Sequence, residues 1–185
     1  MTIEHVVRSF EEEYFKGPPL SRDRLLQIRT ELIAHGSPHI DNCQHCGYFL
    51  AAIGMDLQDY TFVVSILTSF DLRLENRLTK EWKRLQVTEW LATALIQTNN
   101  SDRAIPLIEA FTSSYEEAIK RPSYESKVVD GNLVEYVATY PVYPDTIVYA
   151  TEHVECSIEC IKAIKKLVLV AQLDERYKNC RLMKQ

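Results

Sequence analysis

Apolar residues recur every three or four positions over most of the chain, which is the spacing of an amphipathic α-helix. The segments that follow this pattern are separated by Pro, Gly, Asn or Asp. The pattern predicts six or seven helices joined by short turns. Short connections place successive helices antiparallel, so we predict a single all-α domain over residues 1–185, built as an antiparallel array or bundle.

Start and stop signals bound several of these helices. Ser21 is suited to cap the second helix, and Gly36 to end it. Gly54 is predicted to end the third helix, and Asp56 or Asp59 to cap the fourth. The last long helix is predicted to begin at Asp145 or Thr151 and to run to about Leu169. Its predicted inward positions are Val154, Ile158, Ile161, Ile164 and Val168.

Residues 122–144 depart from the helical pattern. Asp130 and Gly131 lie between two runs of residues that favour β-strands. A two-residue Asp-Gly connection is typical of a tight β-hairpin, because both central positions need positive φ. The segment is therefore either a small hairpin or an irregular insertion between helices.

Composition narrows the class of protein. Hydrophobic residues make up 46% of the 185 positions, which is too many for a disordered chain. The net charge of −5 argues against general binding of nucleic acid, which needs an excess of Lys and Arg. We expect a cytoplasmic protein, since neither a signal peptide nor an apolar run of transmembrane length is present. Five reduced cysteines fit that compartment.

Residues 79–120 resemble a HEAT-type helical repeat. The segment Asp102 to Ala110, with Pro106 within about the first turn of its helix, is similar to the start of that family's inner helix. The resemblance covers one helix pair, and no second sharp copy follows. It implies a scaffold that binds other macromolecules along a helical face.

Arg29 and His35 form an R-x5-H pattern that resembles the motif of HEPN-type RNases and toxins. The resemblance implies metal-independent RNA cleavage, with His35 as general acid or base and Arg29 stabilising charge on the phosphate. Thr30 stands where that family usually has Asn or Asp. A structural interpretation is equally simple, because a cationic His is favourable at a helix C-terminus.

Two cysteine pairs have the spacing of zinc ligands. Cys43 and Cys46 form a C-x2-C, and Cys156 and Cys160 are four residues apart beside His153. Both spacings also place each pair on one face of a helix, where free thiols are usually buried. We expect core thiols and neither metal nor another cofactor, with a tetrahedral zinc site as the alternative.

The acidic residues Glu152, Glu155 and Glu159 fall on one predicted helical stripe. Such a stripe is usually a solvated face, but it can also steer a basic partner to the surface. The sequence contains no phosphate-binding glycine loop and no common hydrolase or metalloprotease motif. We therefore predict a non-enzymatic protein-binding module, similar in type to bacterial immunity or antitoxin proteins, with a basic protein as partner. The alternative is the HEPN-like RNase.

Overall fold

The structure is a computed structural model that describes residues 3–36, 44–69, 81–120, 124–129, 132–137, 144–152 and 154–174. Eight α-helices and one β-hairpin lie in these ranges, so the prediction of an all-α fold is confirmed, with the hairpin as an insertion. The helices are α1 (Ile3–Lys16), α2 (Arg22–Gly36), α3 (Gln44–Asp56), α4 (Tyr60–Ser69), α5 (Glu81–Gln97), α6 (Ser101–Lys120), α7 (Asp145–Ala150) and α8 (Ile158–Ala171).

The ends of α2 follow the sequence signals. The hydroxyl of Ser21 accepts a hydrogen bond from the backbone N–H of Arg24 at 3.3 Å, which is the predicted N-terminal cap. The helix then ends at Gly36, as predicted. Capping groups act locally, and this is why the residues alone identified both ends.

Gly54 does not end α3, which continues to Asp56, so that predicted boundary is wrong. The glycine serves close packing instead. A Cβ atom at this position would lie 2.7 Å from Cγ2 of Val63 on α4. The following turn uses positive φ at Gln58, and Asp59 caps α4 by accepting the backbone N–H of Phe62 at 3.2 Å.

Helices α5 and α6 form an antiparallel pair that is joined by a tight turn with positive φ at Asn99. Pro106 is exposed and lies in the second turn of α6, one turn later than predicted. The helix nevertheless continues through it to Lys120. This pair is the segment that resembles a HEAT-type repeat, and its first two residues lie outside the described ranges.

Of the two structures left open for residues 122–144, the hairpin is present. Strand β1 (Tyr124–Val129) pairs antiparallel with β2 (Asn132–Val137), and Val129 lies opposite Asn132. Asp130 and Gly131, the residues of the predicted turn, lie outside the described residues.

The predicted last helix is two helices. Helix α7 ends at Ala150, and α8 begins at Ile158 after the cap Ser157, whose hydroxyl accepts the backbone N–H of Cys160 at 3.4 Å. The backbone N–H of Ser157 itself donates to the hydroxyl of Ser101. These bonds fix the start of α8 beside the start of α6.

The buried residues form two apolar clusters. One lies among α1, α2 and α3 and includes Ile28, Leu32 and Leu50. The larger one lies among α5, α6, α7 and α8 and also takes residues of α3 and α4. Leu91 and Phe111, which the pattern predicted to face inward, are 6% and 1% exposed. None of the described helices is long and apolar enough to cross a membrane.

Candidate functional site

Helix α8 carries apolar side chains on two opposite faces. One face packs against α6 and is buried through Cys160, Ala163, Ile164, Leu167, Val170 and Ala171. On the other face, Ile158, Ile161 and Leu169 are 67%, 40% and 64% exposed, and Leu173 beyond the helix is 67% exposed. The prediction that Ile158 and Ile161 face inward is therefore wrong. Both stripes have helical spacing. The small residues Ala163 and Ala171 belong to the buried stripe, where they allow α6 to approach closely.

The three glutamates proposed as binding residues are all exposed. Glu152 and Glu155 lie in the connection between α7 and α8, so the prediction of a single helical stripe is wrong. Glu159 lies in the first turn of α8. Negative charge is favourable there, because the helix dipole places partial positive charge at its N-terminus.

Two large exposed side chains lie among these glutamates. Tyr149 on α7 is 61% exposed and Ile158 is 67% exposed. We call the residues Tyr149, Glu152, Glu155, Ile158 and Glu159 the acidic surface. An aromatic and an aliphatic side chain with polar neighbours fit the apolar centre and polar rim of a protein–protein interface.

Basic residues follow one turn later on α8. Lys162 and Lys165 are exposed and alternate with Ile161 and Leu169 on the outer face. We call Lys162 and Lys165 the basic half of α8. Among the described residues, none forms an ion pair with either lysine. Exposed apolar side chains therefore occur along the whole outer face of α8. The charged residues between them are acidic at the N-terminal end and basic in the middle of the helix.

The structure places Arg29 in a structural contact between α2 and α4. Its Nη1 lies 2.7 Å from Oδ2 of Asp59, and the guanidinium carbon lies 4.7 Å from the centroid of the Phe62 ring. Asp59 is the residue that caps α4. The guanidinium that the RNase hypothesis requires is thus bound to a carboxylate and an aromatic ring. His35 lies near the end of α2, and its side chain is outside the described residues.

The cysteines divide between the two apolar clusters. Cys46 is 1% exposed in the cluster of α1, α2 and α3, whereas Cys160 is fully buried in the larger cluster. Burial raises the pKa of the Cys160 thiol to about 12, and the adjacent Cys156 thiol adds to the effect. Cys156 precedes α8, so the two residues do not share a helix face as predicted. Cys43 lies outside the described residues.

A row of polar residues that the sequence analysis missed faces α7 from α5. The buried carboxyl group of Glu89 accepts a hydrogen bond from the hydroxyl of Thr146, and Gln97 donates to the carbonyl of Ala150 at 3.3 Å. Between them, the hydroxyl of Thr93 is buried and bonds to no described residue. The signal in the sequence is Glu89, Thr93 and Gln97 at successive four-residue intervals in the second half of α5, where the residues between them are apolar.

The pKa of Glu89 is raised to about 8, chiefly by burial and in part by the nearby carboxylate of Asp145, while the hydrogen bond from Thr146 opposes the shift. This carboxyl group is therefore mostly protonated at neutral pH. It lies in an interhelical contact, where its hydrogen-bond partner is the hydroxyl of Thr146. The row fits a role in holding α7 against α5.

Within the described ranges, no group of three or more His, Cys, Asp and Glu side chains is placed to hold a metal ion. The exposed outer face of α8 and the acidic surface are the candidate site, because both combine large exposed apolar side chains with charged ones. No family model, curated protein or solved structure matches this chain.

Proposed function

We propose that this chain is a non-enzymatic protein-binding module that recognises a basic protein through the acidic surface. The exposure of Tyr149 and Ile158 is the observation that carries the proposal, because these two large side chains are more than 60% exposed and lie within eleven residues that also contain three exposed glutamates. Burial of the apolar pair would supply affinity, and the carboxylates would select a partner of opposite charge.

Charge supports this choice of partner. The chain has a net charge of −5, and Glu152, Glu155 and Glu159 concentrate negative charge at one end of α8. Such a surface accelerates association with a basic protein, and added salt weakens that attraction. More specifically, we propose that the chain is an immunity or antitoxin protein that neutralises a basic toxin by covering the toxin's surface.

The test is a comparison of three baits in extracts of the native cell. The wild-type chain and a control with Asp23→Lys and Glu109→Lys, two exposed positions on α2 and α6, are expected to capture one basic protein stoichiometrically. A bait with Glu155→Lys and Glu159→Lys is expected to lose it. Equal capture by all three baits, or no stoichiometric partner, would contradict the proposal.

The RNase hypothesis is tested on the same preparation. We expect RNA incubated with the purified wild-type chain to remain intact, because the guanidinium of Arg29 is held by Asp59 and Phe62. Cleavage that disappears in His35→Ala would replace the binding function with the enzymatic one.

A further inference from the structure

We infer that the outer face of α8 also binds a second copy of this chain, with the two helices antiparallel and crossing near Ile161. The apolar content of this face supports the inference. Ile158, Ile161 and Leu169 are 67%, 40% and 64% exposed although they lie on one side of one helix. Apolar area of this kind on a charged helix is typical of an interaction site.

Charge complementarity identifies a second copy of the chain as the binding partner of this face. The charge changes from negative at Glu155, just before α8, and Glu159, in its first turn, to positive at Lys162 and Lys165 on the outer face. Two such helices in parallel would bring like charges together. In the antiparallel arrangement, a twofold axis near Ile161 places each copy's glutamates opposite the other copy's lysines.

The same arrangement accommodates the two exposed isoleucines of the face. Ile161 packs against its own counterpart at the axis, and Ile158 contacts the aliphatic stem of the second copy's Lys165. The antiparallel helix dipoles attract each other. None of the described residues forms an ion pair with Glu155, Glu159, Lys162 or Lys165, so dimer formation breaks no such pair.

The size of the contact sets its strength. With the axis at Ile161, only residues 158–164 of the two helices face each other, a length of about 10 Å. Two helices that meet along one face bury several hundred Å², which is below the roughly 1,200 Å² of a stable complex. The dimer is therefore weak, and its population depends on protein concentration.

Dimer formation covers Glu155, Ile158 and Glu159, so a second copy and a basic partner compete for the acidic surface. This consequence for regulation rests on the proposed function, whereas the dimer itself does not. Self-association would keep the acidic surface covered until a basic partner displaces the second copy.

The experiment is sedimentation velocity on the full chain over a wide range of concentrations. We expect the mass to rise from the 21.4 kDa of one chain towards twice that value, and salt to oppose the rise. The variant Lys162→Glu with Lys165→Glu is expected to stay monomeric, and so is Glu155→Lys with Glu159→Lys. An equimolar mixture of these two variants is expected to regain the dimer, because each now complements the other.

Two controls show whether the loss of the dimer comes from the substituted positions and not from a change of net charge or from unfolding. The variant Arg8→Glu with Arg103→Glu makes the same change of charge at exposed positions of α1 and α6 and should dimerise like the wild type. Circular dichroism should show unchanged helix content in every variant. A wild-type chain that stays monomeric at all concentrations, or a mixture that does not associate, would overturn the dimer.

Two further results distinguish a second copy of the chain from a membrane surface or a basic protein as the partner of this face. A monomeric wild type that sediments with vesicles of anionic phospholipid would assign the basic half to a membrane surface and overturn the dimer. If the chain dimerises but captures no basic protein, the proposed function fails and the dimer stands.

Discussion

The hydroxyl of Thr146 on α7 donates a hydrogen bond to the buried carboxyl group of Glu89 on α5. Glu89 is 5% exposed, and burial raises its pKa from 4.5 to about 8. The folded chain therefore keeps a proton that the unfolded chain loses as the pH rises above 4.5. We predict that the free energy of unfolding falls by a few kcal/mol between about pH 5 and about pH 9.

The measurement is urea unfolding at several pH values for the wild type and Glu89→Gln. The amide has the shape of the protonated acid and does not titrate, so the variant should lose most of this pH dependence. If both proteins show the same slope, Glu89 does not titrate with the raised pKa.

The buried hydroxyl of Thr93 has no hydrogen-bond partner among the described residues. Val has nearly the same shape and no polar group to bury, so Thr93→Val should raise the free energy of unfolding by roughly 1 kcal/mol. Thr112→Val is the matched control, because the hydroxyl of Thr112 is also buried but donates to the carbonyl of Ile108 at 2.6 Å. Chemical denaturation should show a gain for the first variant and none for the second.

Gly54 allows α3 and α4 to approach each other. A Cβ atom there would lie 2.7 Å from Cγ2 of Val63 and 3.1 Å from Cδ1 of Phe62. Gly54→Ala is therefore predicted to cost about 1–2 kcal/mol of stability, because overpacking outweighs the better helix propensity of Ala.

Val63→Ala in the Gly54→Ala background provides the test of this contact. The smaller side chain should recover part of the loss, so a double-mutant cycle should show a favourable coupling. Additive effects of the two substitutions would mean that the helices separate at this point.

Truncating a side chain to Ala should change the free energy of unfolding by different amounts on the two faces of α8. Leu167 is fully buried, and Leu167→Ala should cost ~2–5 kcal/mol in thermal or chemical unfolding. Ile158 is 67% exposed, and Ile158→Ala should stay within about 0.5 kcal/mol in the monomer. Comparable losses from both substitutions would show that the outer face is buried.

Local signals in the sequence predicted most of the elements. The caps Ser21 and Asp59 and the break at Asn99 act on their own backbone within a few residues, so their effect does not depend on the rest of the chain. The helical period and these boundaries determined an all-α chain, whereas the hairpin was one of two structures that the sequence left open.

Tertiary structure decided which groups are buried and which are exposed. Periodicity offered two apolar stripes on α8, and only the contact with α6 selected the stripe of Leu167 over that of Ile158. Arg29 was a candidate catalytic residue until its partner Asp59, 30 residues away, was known. Burial of Glu89 likewise depends on α7. The physical reason is that hydrogen bonds along a helix are local, whereas burial is set by surfaces that lie far apart in the sequence.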